Sequence, residues 1–133
     1  MIRKAARLAS DRSGVATIEM ALALPVLLVM ILGILSSGSM FFSKNELNHA
    51  VAEAARYATI APQPSDSAIK SLVLTSYHGT DQLSSSNVTV THGKTATYVN
   101  YVDVKASVKT SLYLVFIQVP GITLESTKRA YVI

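Results

Sequence analysis

The feature that most constrains this fold is a run of apolar residues near the amino terminus. Residues 20–35 carry no charge, and residues 15–18 extend the apolar span to about twenty residues, interrupted only by Glu19. At about 1.5 Å per residue, such a helix crosses the roughly 30 Å hydrocarbon layer of a bilayer. The span therefore predicts a transmembrane helix over residues 15–36.

Pro25 lies inside this span and helps to decide the environment of the helix. In water an interior proline costs about 3 kcal/mol or more, because it removes a hydrogen bond and clashes with the preceding turn. Membrane helices tolerate proline better, usually with a kink. A module this small can hardly cover a helix that is apolar all round, so a membrane helix is favoured over a buried one.

A short basic leader, residues 1–14, precedes the apolar span. Arg3, Lys4, Arg7 and Arg12, less Asp11, supply +3 of the formal net charge of +4. Basic residues beside a hydrophobic segment favour the cytoplasmic side, so we expect a single-pass protein with a cytoplasmic amino terminus. The rest of the chain is near neutral, which argues against nucleic-acid binding.

Small residues follow the apolar span and fit three interpretations. Ser37, Gly38 and Ser39 are of the kind that signal peptidase accepts, but the apolar run exceeds the roughly 7–15 residues typical of a cleaved signal. Gly33 and Ser37 lie four residues apart, which permits close contact with another helix. The cluster also fits a flexible exit from the bilayer.

Residues 37–133 form the expected external domain, beginning with an amphipathic helix over residues 40–60. Apolar residues recur there at three- and four-residue steps, as they do along one face of a helix. Most are alanines, so a flat partner is able to pack closely on this alanine face, and Pro62 with Pro64 ends the helix. The face comprises Leu47, Ala50, Val51, Ala54, Ala55 and Ala58.

A second, shorter helix is expected over residues 65–77. Ser65 or Asp66 is suited to cap its amino terminus. Its apolar stripe comprises Ile69, Leu72, Val73 and Ser76.

Alternating polar and apolar residues then predict a small antiparallel sheet. The apolar run at residues 112–119 is of ambiguous type, and Pro120 with Gly121 is expected to break it. A small sheet with one apolar face needs a cover, and the alanine face is the candidate. The expected strands lie at about 87–91, 96–110 and 122–132, with a turn at 92–94. The sequence thus predicts an α+β fold in which a long transmembrane helix continues into an amphipathic helix on a three-stranded antiparallel sheet.

Little in the chain suggests catalysis. There is no cysteine, which excludes disulfides, thiolate nucleophiles and cysteine-based zinc sites. Gly93-Lys94-Thr95 lacks the earlier glycine of a phosphate loop, and nothing resembles a nucleophile elbow. His49, His78 and His92 show no ligand spacing, and Asp66, Asp81 and Asp103 cannot be told from ordinary surface acids. We expect no enzyme activity, metal or cofactor.

Glu19 is the exception, because a carboxylate near the end of a membrane helix is costly. One interpretation is that Glu19 reaches the interface and is solvated there. The other depends on spacing: if the chain is cut between Gly14 and Val15, Val15 gains a free amino group one helical turn from Glu19. Opposite charges attract strongly at low dielectric, so Glu19 would neutralise this amine, of its own chain or of a neighbour's.

These residues resemble a known family. Gly14, four further residues, Glu19 and an apolar helix behind basic residues are similar to the class III signal of type IV pilins and pseudopilins. Residues 12–25, which read RSGVATIEMALALP, resemble the start of TadE-like proteins, as does the segment AEAARYA at 52–58. Residues 121–129 resemble the closing strand of that family. Met20 departs from the aromatic residue that usually follows the glutamate.

The resemblance implies a non-enzymatic minor pseudopilin of the tight-adherence (Tad/Flp) pilus machinery, in the inner membrane of a bacterium or archaeon. Its implied partners are the lipid bilayer, a prepilin peptidase that cuts after Gly14, other pilins and pseudopilins, and inner-membrane Tad assembly proteins. The carboxyl-terminal domain is implied to lie outside, and pilus-mediated adhesion is the implied role. The alternative is a single-pass anchored binding or adhesion module that is never processed; an anchored hydrolase has no residue constellation to support it.

Overall fold

The structure, a computed structural model, describes residues 13–114 and 117–132 of the 133-residue chain. Most of the expected leader lies outside these residues. The described chain has the predicted α+β architecture, with two α-helices, a one-turn 3₁₀ helix (Ser85–Asn87) and three strands. The helices are α1 (Ser13–Tyr57) and α2 (Asp66–Ser76), and the strands are β1 (Val88–Lys94), β2 (Asn100–Leu114) and β3 (Ile117–Val132).

Helix α1 is continuous over 45 residues and passes through Pro25. At about 1.5 Å per residue it is about 68 Å long. Its first part, the anchor segment (residues 15–36), is exposed along nearly its whole length, whereas full burial begins only at Ser43. Among the described residues, α1 is the one helix long and apolar enough to cross a membrane, and none of its most apolar window is buried within the protein. The interpretation as a buried soluble helix therefore does not apply.

The second part of α1, the core segment (residues 43–57), packs on the sheet. All six residues of the predicted alanine face are buried, and every one except Ala55 is fully so. Short side chains on the helix allow the strands to approach closely, and removing this apolar surface from water supplies the stability of the domain. The same core contains Val88, Val102, Val104, Ala106, Val108 and Leu124 from the sheet.

Both helices end close to the predicted positions. Helix α1 stops at Tyr57, where Thr59 and Ile60 donate backbone hydrogen bonds to residues three positions earlier and tighten the chain ahead of Pro62. In α2, the Ser65 hydroxyl accepts a hydrogen bond from the Ala68 amide at 3.3 Å, which satisfies one of the free amides of the first turn. Ile69 and Val73 are buried against the core.

The sheet is antiparallel in the order β1-β2-β3. Strand β1 runs through the expected turn at 92–94, and the connection to β2 lies beyond it, closed by the Thr95 amide on the Val99 carbonyl. Gly93 is a strand residue: a side chain there would collide with the ring of Tyr101 on the neighbouring strand. The reason for a glycine at position 93 is therefore the space taken by an aromatic ring, and not the requirement of a turn.

Pro120 and Gly121 are expected to break the apolar run, but neither residue ends a strand. Strand β3 passes through both residues, and the ambiguous apolar run at 112–119 forms the end of β2 and the start of β3. Thr110 pairs with Ile122 and Leu112 with Val119, so two residues of β3 stand opposite Ser111 alone. Such a bulge tolerates the missing amide of proline, and Gly121 takes the positive φ of 82° that it requires.

Candidate processing and assembly site

The predicted processing residues lie at the exposed amino-terminal end of α1. The described part of α1 starts at Ser13, so the peptide bond between Gly14 and Val15 lies near the limit of the described residues. Val15 is 63% exposed, and a side chain at Gly14 would meet no atom within 4 Å. Nothing in the described chain obstructs access to this bond.

Glu19 is exposed on the same helix, one turn after Val15. Residues four apart on a helix have Cβ atoms about 5–6 Å from each other, within reach of a side-chain ion pair. The nearest basic residue later in α1 is Lys44, 25 positions on and therefore about 38 Å away. A positive charge for Glu19 must come from residues 1–12, from a newly freed amino group at Val15, or from another chain.

The three predicted membrane and assembly residues lie further along α1. Pro25 is inside the anchor segment, and the helix continues through it. The Ser37 hydroxyl donates a hydrogen bond to the Gly33 carbonyl at 2.8 Å, which satisfies this polar group within its own helix. Because α1 is unbroken here, the cluster of small residues is a helical surface and not a flexible exit.

Gly33 and Ser37 belong to a half-buried stripe of α1. Its other members, Ser36 and Met40, are half-buried as well, whereas most of the residues around them are exposed. The three- and four-residue steps continue the face that becomes fully buried at Ser43 and Leu47. The face of α1 that packs on the carboxyl-terminal domain therefore extends, partly covered, into the anchor segment.

The outer face of the sheet holds an ion pair that is not evident in the sequence. Arg129 donates to both carboxylate oxygens of Asp103, each at 2.7 Å, and its guanidinium lies 3.9 Å from the centre of the Tyr101 ring. The hydrogen bond from Arg129 holds the pKa of Asp103 below its usual value. The same hydrogen bond raises the pKa of the guanidinium, so both groups stay charged near neutral pH. The ion pair therefore links β2 to β3 through two charge-assisted hydrogen bonds.

A second pair joins α2 to β1. The His92 Nε2 atom lies 2.7 Å from a carboxylate oxygen of Asp66, although the two residues are 26 positions apart. Helical spacing in the sequence does not reveal this carboxylate partner, because it comes from a different element. Both side chains are about half exposed, so the contact is a surface link between two elements.

The described residues contain no group of three or more His, Asp or Glu side chains able to hold a metal ion. His78 hydrogen-bonds through its ring to the Ser76 carbonyl. Neither of these two histidine contacts includes a serine or threonine hydroxyl.

Comparison with known proteins gives one match. No curated protein matches the chain, and no solved structure does so either. The family model described as TadE-like protein matches residues 14–56, a segment that runs from the candidate cleavage position almost to the end of α1. The resemblance read from the sequence is thereby confirmed over residues 14–56, which hold the whole anchor segment and nearly all of the core segment.

Proposed function

We propose that this chain is a minor pseudopilin of a Tad/Flp pilus system, anchored in the inner membrane and supporting pilus biogenesis and surface adhesion. The family match indicates involvement in a Tad pilus system. The observation that carries the finer proposal is the division of α1 into an exposed apolar half and a half packed on a small external domain. A subunit of this design can be held by lipid first and by neighbouring helices later.

Processing by a prepilin peptidase is part of this proposal. The enzyme would cut between Gly14 and Val15 on the cytoplasmic side and release the basic leader. The exposure of Val15 supports access to the bond, and the absence of a side chain at Gly14 leaves its carbonyl open to attack. The freed amine of Val15 would then lie one turn from Glu19, its own or a neighbour's, at the low dielectric where ion pairs are strongest.

The length and continuity of α1 support a role in assembly. A helix of about 68 Å with no break fixes the external domain relative to the anchor. A flexible tether would suffice for a binding module, which needs only attachment to the membrane. A rigid connection is what a subunit needs if packing of its anchor is to orient its domain.

Piliation tests the proposal most simply. A host strain that lacks this gene is complemented in turn with the wild-type chain, with Glu19→Ala or with Glu53→Ala. The amount of sheared pili and the amount of the chain in the membrane fraction are then quantified. Glu53 is the matched control, an exposed glutamate on the core segment of the same helix. We expect all three chains in the membrane fraction, wild-type pili with Glu53→Ala and fewer pili with Glu19→Ala.

Two results would argue otherwise. Normal piliation with Glu19→Ala would count against neutralisation of an amine by Glu19. Normal pili in the gene deletion, together with lost adhesion, would favour the alternative of an unprocessed anchored adhesion module.

A further inference from the structure

The sheet extends beyond its first strand as a two-stranded ribbon. Strand β1 pairs with β2 only as far as Val88 opposite Ala106. Beyond that point, β2 stays paired with β3 over about half the length of each strand, as far as Leu114 opposite Ile117. The ribbon, residues 107–114 and 117–125, therefore leaves the three-stranded sheet and projects past it.

The ribbon points toward the anchor segment. At one end of the sheet, Asn100 and Val132 line a pocket with Gln63, which lies six residues beyond the end of α1, so this end of the sheet lies toward the carboxyl end of α1. Further along, the Lys44 ammonium hydrogen-bonds to the Glu125 carbonyl. Moving from Val132 to Glu125 on β3 thus corresponds to moving back along α1 toward its amino terminus, and the ribbon continues in that direction.

The length of the ribbon places its end beside the predicted transmembrane residues. From residue 107 to residue 114 the strand rises about 23 Å, at about 3.3 Å per residue. Measured back from Lys44, this distance equals about 15 residues of helix and reaches the level of residue 29. A ribbon inclined by about 45° to α1 still covers about 11 helical residues and reaches residue 33. Both levels lie inside the anchor segment.

The surface of α1 provides independent support for this path. The half-buried stripe of Gly33, Ser36, Ser37 and Met40 continues the helix face that packs on the sheet. Met40 and Ile122 both pack on the core cluster, so helix and ribbon are still together where the ribbon begins to project. Glycine and serine beyond Met40 allow the strands to remain close to the helix.

The composition of the ribbon suits a lipid surface. Residues 110–124 contain no charged side chain, whereas the membrane-distal part of the same strands contains Asp103, Lys105 and Arg129. The last pairs are Leu112 opposite Val119, Tyr113 opposite Gln118 and Leu114 opposite Ile117. In water, an apolar strand pair with two free edges promotes aggregation. At the bilayer interface, the same residues are favourable and tyrosine is enriched.

We propose that the end of the β2–β3 ribbon enters the interfacial layer of the bilayer beside α1, on the side of the external domain. This rests on membrane anchoring by α1. The depth is limited to the headgroup and upper acyl region, because the unpaired edges of a two-stranded ribbon have no hydrogen-bond partners in hydrocarbon. The domain thus contacts the membrane at two places, which fixes its rotation about the helix axis.

Fluorescence of introduced tryptophans tests the proposal directly, because the chain contains no tryptophan. The full chain is reconstituted in vesicles of phosphatidylcholine, brominated either near the headgroup end or near the terminus of the acyl chain. Leu114→Trp, and Tyr113→Trp as a conservative second variant, probe the ribbon. Leu28→Trp probes the anchor segment, and Tyr98→Trp, at a position 87% exposed in the β1–β2 connection, is the aqueous control.

We expect bromine near the headgroup to cause the larger loss of fluorescence at positions 113 and 114, and bromine near the chain terminus to do so at position 28. Position 98 should be unaffected by either lipid. Quenching at 28 without quenching at 113 and 114 overturns the proposal while leaving the anchor intact. A blue-shifted but unquenched emission at 114 would instead assign the ribbon to a second copy of the chain. If neither lipid quenches Leu28→Trp, the anchor segment does not lie in the bilayer. That result would contradict the membrane anchoring on which the proposal rests.

Discussion

Replacing Ala54 by leucine tests whether close approach of α1 to the sheet holds the carboxyl-terminal domain together. Ala54 is completely buried, and the sheet side chains of the same core, Val102 and Val104, are no more than 1% exposed. Leucine adds three carbons at a position with no solvent-exposed surface. Overpacking of this kind costs about 1–3 kcal/mol. Alanine and leucine have similar helix propensities, so the cost would not arise within the helix.

The matched control is Ala52→Leu, two residues earlier on the same helix. Ala52 is half-buried and lines an open groove with His49, Tyr57 and Leu72, so the added carbons find space. We expect this variant to lie within about 0.5 kcal/mol of the wild type, as most surface substitutions do.

The assay is thermal unfolding of the full chain in detergent micelles, followed by near-ultraviolet circular dichroism of its tyrosines. For a domain of this size, each kcal/mol lowers the midpoint by about 4–8 °C, so Ala54→Leu should lower it by about 4–24 °C. Equal midpoints for the Ala54 and Ala52 variants would refute the close packing of α1 on the sheet.

Three further predictions concern single residues of the carboxyl-terminal domain and its junction with the anchor segment. Gly121→Ala should destabilise the domain by roughly 1–2 kcal/mol because its φ is positive, whereas Gly38→Ala, in an open helical position, should stabilise α1 by up to about 1 kcal/mol; chemical unfolding measures both. Ser65→Ala should cost about 1 kcal/mol in the same assay, and no change would mean that the hydroxyl does not cap α2. Asp103→Asn should be less stable than the wild type near neutral pH. Because Arg129 lowers the pKa of Asp103 in the folded state, this difference should persist above the usual value of 3.8 and shrink as the pH falls below it; a difference independent of pH would contradict the role of the carboxylate charge.

Much of the fold follows from periodicity in the sequence. The alanine face of the core segment repeats every three or four residues, and the valines of β2 alternate, so both buried faces can be recognised from the order of the residues alone. Each pattern also identifies its partner, because a shallow helical face and a one-sided apolar strand pair have few other ways to leave water.

The ribbon could not be predicted in the same way. Proline followed by glycine is the strongest local sign of a turn, and it outweighs the β-prone residues on either side. The structure accommodates both in a bulge, since the opposite strand contributes only Ser111 at that point. Whether a Pro-Gly pair ends a strand or bends it depends on the partner strand, which local sequence does not specify.

The Asp103–Arg129 ion pair and the Asp66–His92 contact could not be predicted for a related reason. Asp103 and Arg129, like Asp66 and His92, are 26 residues apart in sequence. Their proximity is set by strand register and by the docking of α2, and neither follows from composition or helical spacing. In the processing region the situation is the opposite, because Gly14 and Glu19 lie within one helix, where sequence spacing determines spatial distance.

The intact mass of the chain extracted from membranes tests most directly whether this protein is a processed pseudopilin. In cells with an active prepilin peptidase, we predict a chain that begins at Val15, and a full-length chain when Gly14 is replaced by alanine. Recovery of the full-length wild-type chain from the same cells would contradict cleavage between Gly14 and Val15.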